Sequence, residues 1–107
     1  MHNMDKAVSA DFAEWQELFS TLPGGELIRK GLEDLDHETM SVEALLVLVG
    51  APRLENLGLR VRKTGQSPED LLYDTLAQQD PDSAHSRYNA LIRVLVSFER
   101  AAECVKK

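Results

Sequence analysis

Six consecutive apolar residues, at positions 44–49, constrain the fold of this chain more than any other feature. The segment reads Ala44-Leu45-Leu46-Val47-Leu48-Val49. A helix that is apolar on every side belongs at the centre of a hydrophobic core. The valine content would also suit a buried strand, but no other segment alternates with period two, and only 59–63 could serve as its partner. The sequence therefore favours a buried helix that Ser41 caps and that ends at Val49.

The N-terminal part of the chain carries an aromatic stripe. From Ser9 to Leu22, apolar residues recur at spacings of three and four, as on one face of a helix. These residues are Phe12, Trp15, Leu18, Phe19 and Leu22. Either Ser9 or Asp11 can cap the start of this helix, and residues 1–8 are expected to form a frayed tail. Pro23-Gly24-Gly25 predicts its end.

A second helix is predicted from about Glu26 to Leu35, with Gly31 on its apolar face. Glycine costs about 1 kcal/mol relative to alanine inside a helix. A glycine at this position therefore indicates either a packing requirement or a helix end. We expect Gly31 to let another helix approach closely. The alternative is that Gly31 ends a shorter helix. Residues 36–40 then form a polar connection.

Two more helix starts contain proline. Pro52 opens a short helix to Leu57, after which Gly58 suits a left-handed conformation and Leu59 can fold back on Leu54. Residues 60–66 form a basic loop. Ser67-Pro68-Glu69-Asp70 combines a cap, a first-position proline and an acid three residues after the serine, and it predicts a helix that ends near Gln79.

The last helix, from Asp80-Pro81-Asp82 to about Val105, carries a seam with heptad spacing. Its members alternate by four and three residues: Ala84, Tyr88, Leu91, Leu95, Phe98, Ala102 and Val105. Ile92 and Val94 widen the apolar face, which favours packing within the chain over a coiled-coil seam between two chains. A dimer seam stays open as the alternative, and a homodimer is expected.

These segments predict an all-α fold in which residues 1–107 form a single domain. We expect a compact bundle of four longer helices plus one short helix around the segment 42–49. With 43% hydrophobic and 28% charged residues, the chain has the composition of a soluble globular protein. Its longest apolar run is far below the roughly 18 residues of a membrane span. A single cysteine, Cys104, fits a cytoplasmic location.

The charges occur in blocks of one sign. Residues 1–43 carry a net charge of −7, residues 44–66 +3, residues 67–82 −5 and residues 83–107 +3. Opposite charges on different surfaces can steer an encounter between proteins and fix its register. The alternative is that each block is a solvated helix face with pairs inside the chain.

We expect the residues that bind a partner to be aromatic anchors and exposed cations. The candidates are Trp15, Phe19, Tyr88, Arg53, Arg60, Arg62 and Lys63. Tryptophan is enriched where binding energy concentrates, although an aromatic stripe also packs readily into a core. The cations of 53–63 could instead contact nucleic acid. However, four cations support few phosphate contacts, and a net charge of −6 opposes such binding.

Motifs for chemistry are weak in this sequence. Asp34, Asp36, His37 and Glu38 could bind metal or exchange protons, but position 41 is serine, where a zinc-protease helix would need a second histidine. A surface connection explains His37 better, and we expect no metal, cofactor or catalytic residues. The favoured function is a non-catalytic protein-interaction module: a small cytoplasmic adaptor, regulator or complex subunit. A nucleic-acid-binding regulator that uses 53–63 is the alternative, and a metal protein or enzyme the third hypothesis.

Overall fold

A computed structural model describes residues 14–61 and 67–106 of the chain. Within these ranges the chain forms six helices and no strand. Helix α1 comprises the helical residues 14–21. It is followed by α2 (Gly25–Asp36), α3 (Val42–Val49), α4 (Ala51–Asn56), α5 (Pro68–Gln79) and α6 (Ala84–Lys106). The all-α prediction is thus confirmed, and 42–49 is a helix rather than a strand.

Helix α3 lies at the centre of the core, as its sequence predicts. Its side chains from Ala44 to Leu48 are all buried, and the helix packs against α2, α5 and α6. The Ser41 hydroxyl accepts a hydrogen bond of 3.1 Å from the backbone N–H of Ala44. This bond satisfies one of the N–H groups that a helix start leaves without an intrahelical partner, so the predicted cap is confirmed.

Close packing of α2 on α3 depends on Gly31, which is buried within a helix that continues to Asp36. A methyl group at this position would overlap the carbonyl oxygen of Glu43 and lie 2.5 Å from Cγ2 of Val47. The predicted close approach is therefore confirmed, and the alternative of a shorter helix is wrong.

Helix α4 ends in the predicted manner. Gly58 has a φ of 109°, and its N–H donates to the Glu55 carbonyl over 3.0 Å. The Leu59 N–H donates to the Leu54 carbonyl over 3.1 Å. These two bonds form a complete Schellman motif, in which glycine adopts the left-handed conformation at little steric cost.

The start of α5 differs from the prediction in one detail. Ser67 occupies the N-cap position and Pro68 the first turn, but the Ser67 side chain makes no capping hydrogen bond. Its hydroxyl instead lies 3.4 Å from a carboxylate oxygen of Glu69. The predicted capping bond is therefore wrong, although the helix begins where expected.

Most residues of the α6 heptad seam pack against other helices of the same chain. Ala84, Leu95, Phe98 and Ala102 are buried in the single core that all six helices share. Val105 is exposed. The seam thus serves intramolecular packing, which is the interpretation favoured by the sequence.

Two aromatic side chains from α1 pack on the same part of α6. The ring centroids of Trp15 and Phe19 lie 6.3 and 6.1 Å from the ring centroid of Phe98.

No helix of the described ranges combines the length and the apolar character needed to cross a membrane. The predicted frayed tail (1–8) and the predicted helix start (Ser9 to Ala13) lie outside the described residues.

Candidate interaction surface

Helices α5 and α6 pack against each other and leave an aromatic side chain on the surface beside their contact. Leu72 and Leu76 are fully buried one turn apart, so they fix which face of α5 points inward. Tyr73 is one residue further along, which places it about 100° around the helix from Leu72. Its side chain consequently lies at the edge of the buried face and remains 39% exposed.

Tyr73 is the centre of a three-ring cluster that joins the two helices. Its ring centroid lies 5.8 Å from that of Tyr88 and 6.5 Å from that of His85, both in α6. The ring planes are inclined by 56° and 64°, close to the edge-to-face arrangement that aromatic pairs favour. His85 is exposed, and its Nε2 lies 3.3 Å from the Asn89 side-chain nitrogen.

The α5 side of this cluster carries three exposed acidic residues. Glu69 and Asp70 occupy the first turn of α5 and are exposed, as is Asp74. Partial burial raises the pKa of the Tyr88 hydroxyl, and the negative charges of Glu69 and Asp70 raise it further. Glu69 and Asp70 are also four and three residues before Tyr73, so both carboxylates lie on the same side of α5 as its ring. We call Tyr73, His85, Tyr88, Glu69 and Asp70 the Tyr73 patch.

A second charged cluster joins α4 to α6. Arg53 donates from Nε and one terminal nitrogen to the two carboxylate oxygens of Glu103, over 2.7 and 2.8 Å. The other terminal nitrogen of Arg53 lies 3.7 Å from a carboxylate oxygen of Glu99. Glu99 is buried, with only 4% of its surface exposed. The hydrogen bonds to Glu103 raise the pKa of Arg53. Burial raises the pKa of Glu99, and the positive charge of Arg53 opposes this effect.

The structure separates the residues that the sequence selected for partner binding. Trp15 and Phe19 are only 2% and 3% exposed, so their large apolar areas are already covered by the core. Tyr88 is partly exposed within the Tyr73 patch, and Arg60 is exposed.

The predicted basic cluster is only partly described. Arg53 is engaged with Glu103, so its charge is already balanced inside the chain. Arg62 and Lys63 lie outside the described residues. The described part of the cluster thus offers nucleic acid less free positive charge than the sequence suggests.

The acidic residues around His37 form ordinary helix-end contacts. Asp34 accepts hydrogen bonds from Lys30 Nζ at 2.7 Å and from the Ser41 hydroxyl at 2.6 Å. Both bonds lower the pKa of the Asp34 carboxyl. His37 Nδ1 lies 2.9 Å from the Glu33 carbonyl oxygen. Across residues 14–61 and 67–106, no three or more His, Cys, Asp or Glu side chains are grouped so that they could hold a metal ion.

The residues that the sequence predicts for partner binding do not include Tyr73, His85, Glu69 or Asp70. A usable signal was present, because Tyr73 lies off the stripe that Leu72 and Leu76 define. An aromatic residue outside the apolar face of an amphipathic helix is expected at the surface. The contact with Tyr88 depends on how α5 and α6 pack, and no local pattern encodes that pairing.

Comparisons of the chain with known protein families, with characterised proteins and with solved structures find no match.

Proposed function

We propose that this chain is a non-catalytic protein-interaction module that acts in the cytoplasm as a small adaptor, regulator or complex subunit. The observation that carries the proposal is the Tyr73 patch, where an exposed aromatic side chain lies beside a helix–helix contact within a field of carboxylates. Aromatic residues are enriched at protein interfaces because they bury a large area with few rotatable bonds. The lone thiol of Cys104 is consistent with a reducing compartment.

The charge of the patch favours a protein partner over nucleic acid. Phosphate groups would be repelled by Glu69 and Asp70, which lie four and three residues before Tyr73 on α5 and so share its side of the helix. The cation Arg53, which a nucleic-acid site in 53–63 would use, is held by Glu103. Such a site would therefore rely on Arg60 and on cations outside the described residues.

The arrangement of the reactive side chains supports a non-catalytic role. His85 and Cys104 are nineteen residues apart on the same helix, which corresponds to about 28 Å along the helix axis. They cannot act as a nucleophile and its base within one chain, because that pairing requires hydrogen-bond distance. The remaining described histidine, His37, is exposed at the end of α2.

Self-association is part of the proposal, although the α6 seam is largely occupied. A homodimer would use another surface, since Leu95, Phe98 and Ala102 are already buried in the chain. Size-exclusion chromatography with light scattering at low micromolar concentration tests this point directly. A mass of twice 12.0 kDa supports the dimer, and a monomer at every concentration contradicts it.

Site-specific photo-crosslinking tests the interaction function itself. A photoreactive amino acid is placed, one variant at a time, at four exposed positions on different helices: Ser20, Asn56, Tyr73 and Arg100. Discrete protein adducts from at least one position, formed in cells that express the chain, are expected for an interaction module. If all four folded variants give no adduct after irradiation, the proposed function is contradicted.

A further inference from the structure

We infer that the Tyr73 patch binds a lysine or arginine side chain within a basic segment of a partner protein. The inference rests on the proposed function and adds to it the location of the surface and the chemistry of the partner.

The geometry of the rings supports a cation as the ligand. A cation binds over the face of an aromatic ring, within about 6 Å of its centroid. Tyr73 and Tyr88 are inclined by 56° with centroids 5.8 Å apart, so the pair presents two differently oriented ring surfaces. Tyr73 is 39% exposed and keeps part of its surface accessible.

Exposure of Tyr73 is unusual for the described part of this protein. Three large apolar side chains in these ranges are exposed, namely Met40, Tyr73 and Val105. Met40 lies in the connection between α2 and α3, and Val105 lies near the end of α6. Tyr73 alone among the three belongs to an aromatic cluster that spans two helices.

The charges around the rings complement a cation. Glu69 and Asp70 lie four and three residues before Tyr73 on α5, which places them on the same side of the helix. Their negative charges also raise the pKa of the Tyr88 hydroxyl, so a positive group on the rings would be attracted by both carboxylates. Residues 67–82 contain five acids and no lysine or arginine, which means that α5 supplies no cation of its own. On α6, Arg87 precedes Tyr88 by one residue and therefore projects about 100° away around the helix.

We expect the bound cation to belong to a polypeptide rather than to a free small molecule. A single exposed cation–π contact contributes little affinity, so a free small cation would bind weakly. A basic segment adds contacts on either side of the inserted side chain, including contacts to the exposed Asp74 and His85. Anionic lipids and nucleic acids are disfavoured because their phosphates would face the same carboxylates.

A peptide-binding experiment on the full chain tests this inference. The probe is a fluorescein-labelled peptide of alternating arginine and serine, and the comparison peptide alternates glutamate and serine. Fluorescence anisotropy measures affinity, and amide chemical-shift changes locate the binding surface. We expect the arginine peptide to bind more tightly and to shift the amides around Tyr73, His85 and Tyr88.

Variants at the ring separate a cation–π contact from general apolar contact. Tyr73→Leu keeps an apolar side chain but removes the aromatic face, and we expect it to weaken binding of the arginine peptide about fivefold. Tyr73→Trp is expected to keep or increase the affinity, because the indole ring is the best cation–π partner. Circular dichroism confirms that each variant is folded.

Charge variants distinguish the effect of the two carboxylates in the Tyr73 patch from the effect of the protein's overall negative charge. The double variant E69Q/D70N should weaken the arginine peptide several-fold. E17Q/E38Q removes two exposed carboxylates from α1 and from the connection between α2 and α3, and it should change the affinity by less than about twofold.

Three results would overturn the inference. These are undiminished affinity in Tyr73→Leu, equal losses in the two double variants, and a homodimer whose interface covers Tyr73. If any of them occurs while crosslinked adducts still form elsewhere, the partner has a different chemistry and the proposed function stands. The proposed function fails only when all four crosslinking positions are silent.

Discussion

Gly31 of α2 lies directly against the backbone of Glu43 in α3. A methyl group on Gly31 would overlap the Glu43 carbonyl oxygen, and a backbone atom within a packed helix cannot rotate aside as a flexible side chain can. Ile28 and Leu35, on the same face of α2, are both buried. The contact therefore sets how close α2 can come to the central helix.

The first prediction is that Gly31→Ala destabilises the protein despite the better helix propensity of alanine. Alanine gains about 1 kcal/mol from propensity, while insertion of a methyl group into a tight contact costs about 1–3 kcal/mol. Because the overlap is with a backbone atom, we expect a cost of about 2–3 kcal/mol and so a net loss of about 1–2 kcal/mol in the free energy of unfolding, measured by urea denaturation.

Gln78→Ala is the control, because Gln78 is exposed on α5 and alanine there should change stability by no more than about 0.5 kcal/mol. Equal or greater stability of Gly31→Ala relative to the unsubstituted chain would show that α2 and α3 can separate without cost.

A second prediction concerns the C-terminal end of α2, where Glu38 has a φ of 58°. Its N–H donates to the Leu35 carbonyl, and the Thr39 N–H donates to the Asp34 carbonyl. This is the same motif that Gly58 completes after α4, but here a residue with a Cβ occupies the left-handed position. We expect Glu38→Gly to stabilise the chain by about 1 kcal/mol.

Glu38→Ala separates the backbone effect from the loss of the glutamate side chain. It should be less stable than Glu38→Gly by a similar amount, since alanine retains the Cβ. The reciprocal change, Gly58→Ala, should destabilise, because that position has a φ of 109°. Thermal unfolding of the three variants under one condition measures these differences, and equal midpoints for Glu38→Gly and Glu38→Ala would refute the explanation.

Local patterns in the sequence were sufficient to predict most of the helices. The apolar run 44–49 gives the central helix, and Ser41 gives its start. Pro68 and Gly58 mark a helix start and a helix end where the structure has them. These features depend on residues within one or two turns, which is why they can be read from a single sequence.

Contacts between distant parts of the chain were not predictable in this way. Arg53 and Glu103 are fifty residues apart, so no local pattern distinguishes the paired Arg53 from an exposed cation. The pairing of Tyr73 with Tyr88 likewise depends on how two helices pack. The left-handed Glu38 was also missed, because glycine is the usual signal for that conformation.

The third prediction compares two serines at N-cap positions. The Ser41 hydroxyl accepts a bond from the Ala44 N–H and donates to Asp34 over 2.6 Å, whereas the Ser67 side chain makes no capping bond. Ser41→Ala should therefore lower the free energy of unfolding by about 1 kcal/mol or more. Ser67→Ala should have less than half of this effect. Chemical denaturation of both variants measures the difference, and equal losses would contradict the assigned caps.

The fourth prediction concerns the buried carboxyl of Glu99. Burial raises its pKa above the ordinary value of 4.5, so the folded chain holds this proton more tightly than the unfolded chain. The stabilisation that results is fully present below pH 4.5 and is lost as the pH rises through the folded-state pKa. At neutral pH the fold therefore carries a net cost, because it disfavours the ionised form that Glu99 adopts freely in the unfolded chain.

Glu99→Gln removes this cost, because the amide has nearly the same shape and cannot ionise. We expect the midpoint temperature of Glu99→Gln to exceed that of the unsubstituted chain at pH 7, and the difference to shrink towards zero below about pH 4.

Glu103→Gln is the matched control on the same helix. It removes the hydrogen-bonded partner of Arg53 and should slightly lower the midpoint temperature at pH 7 rather than raise it, since this ion pair is partly exposed. A difference between Glu99→Gln and the unsubstituted chain that does not vary with pH would show that burial of the Glu99 charge is not its cause.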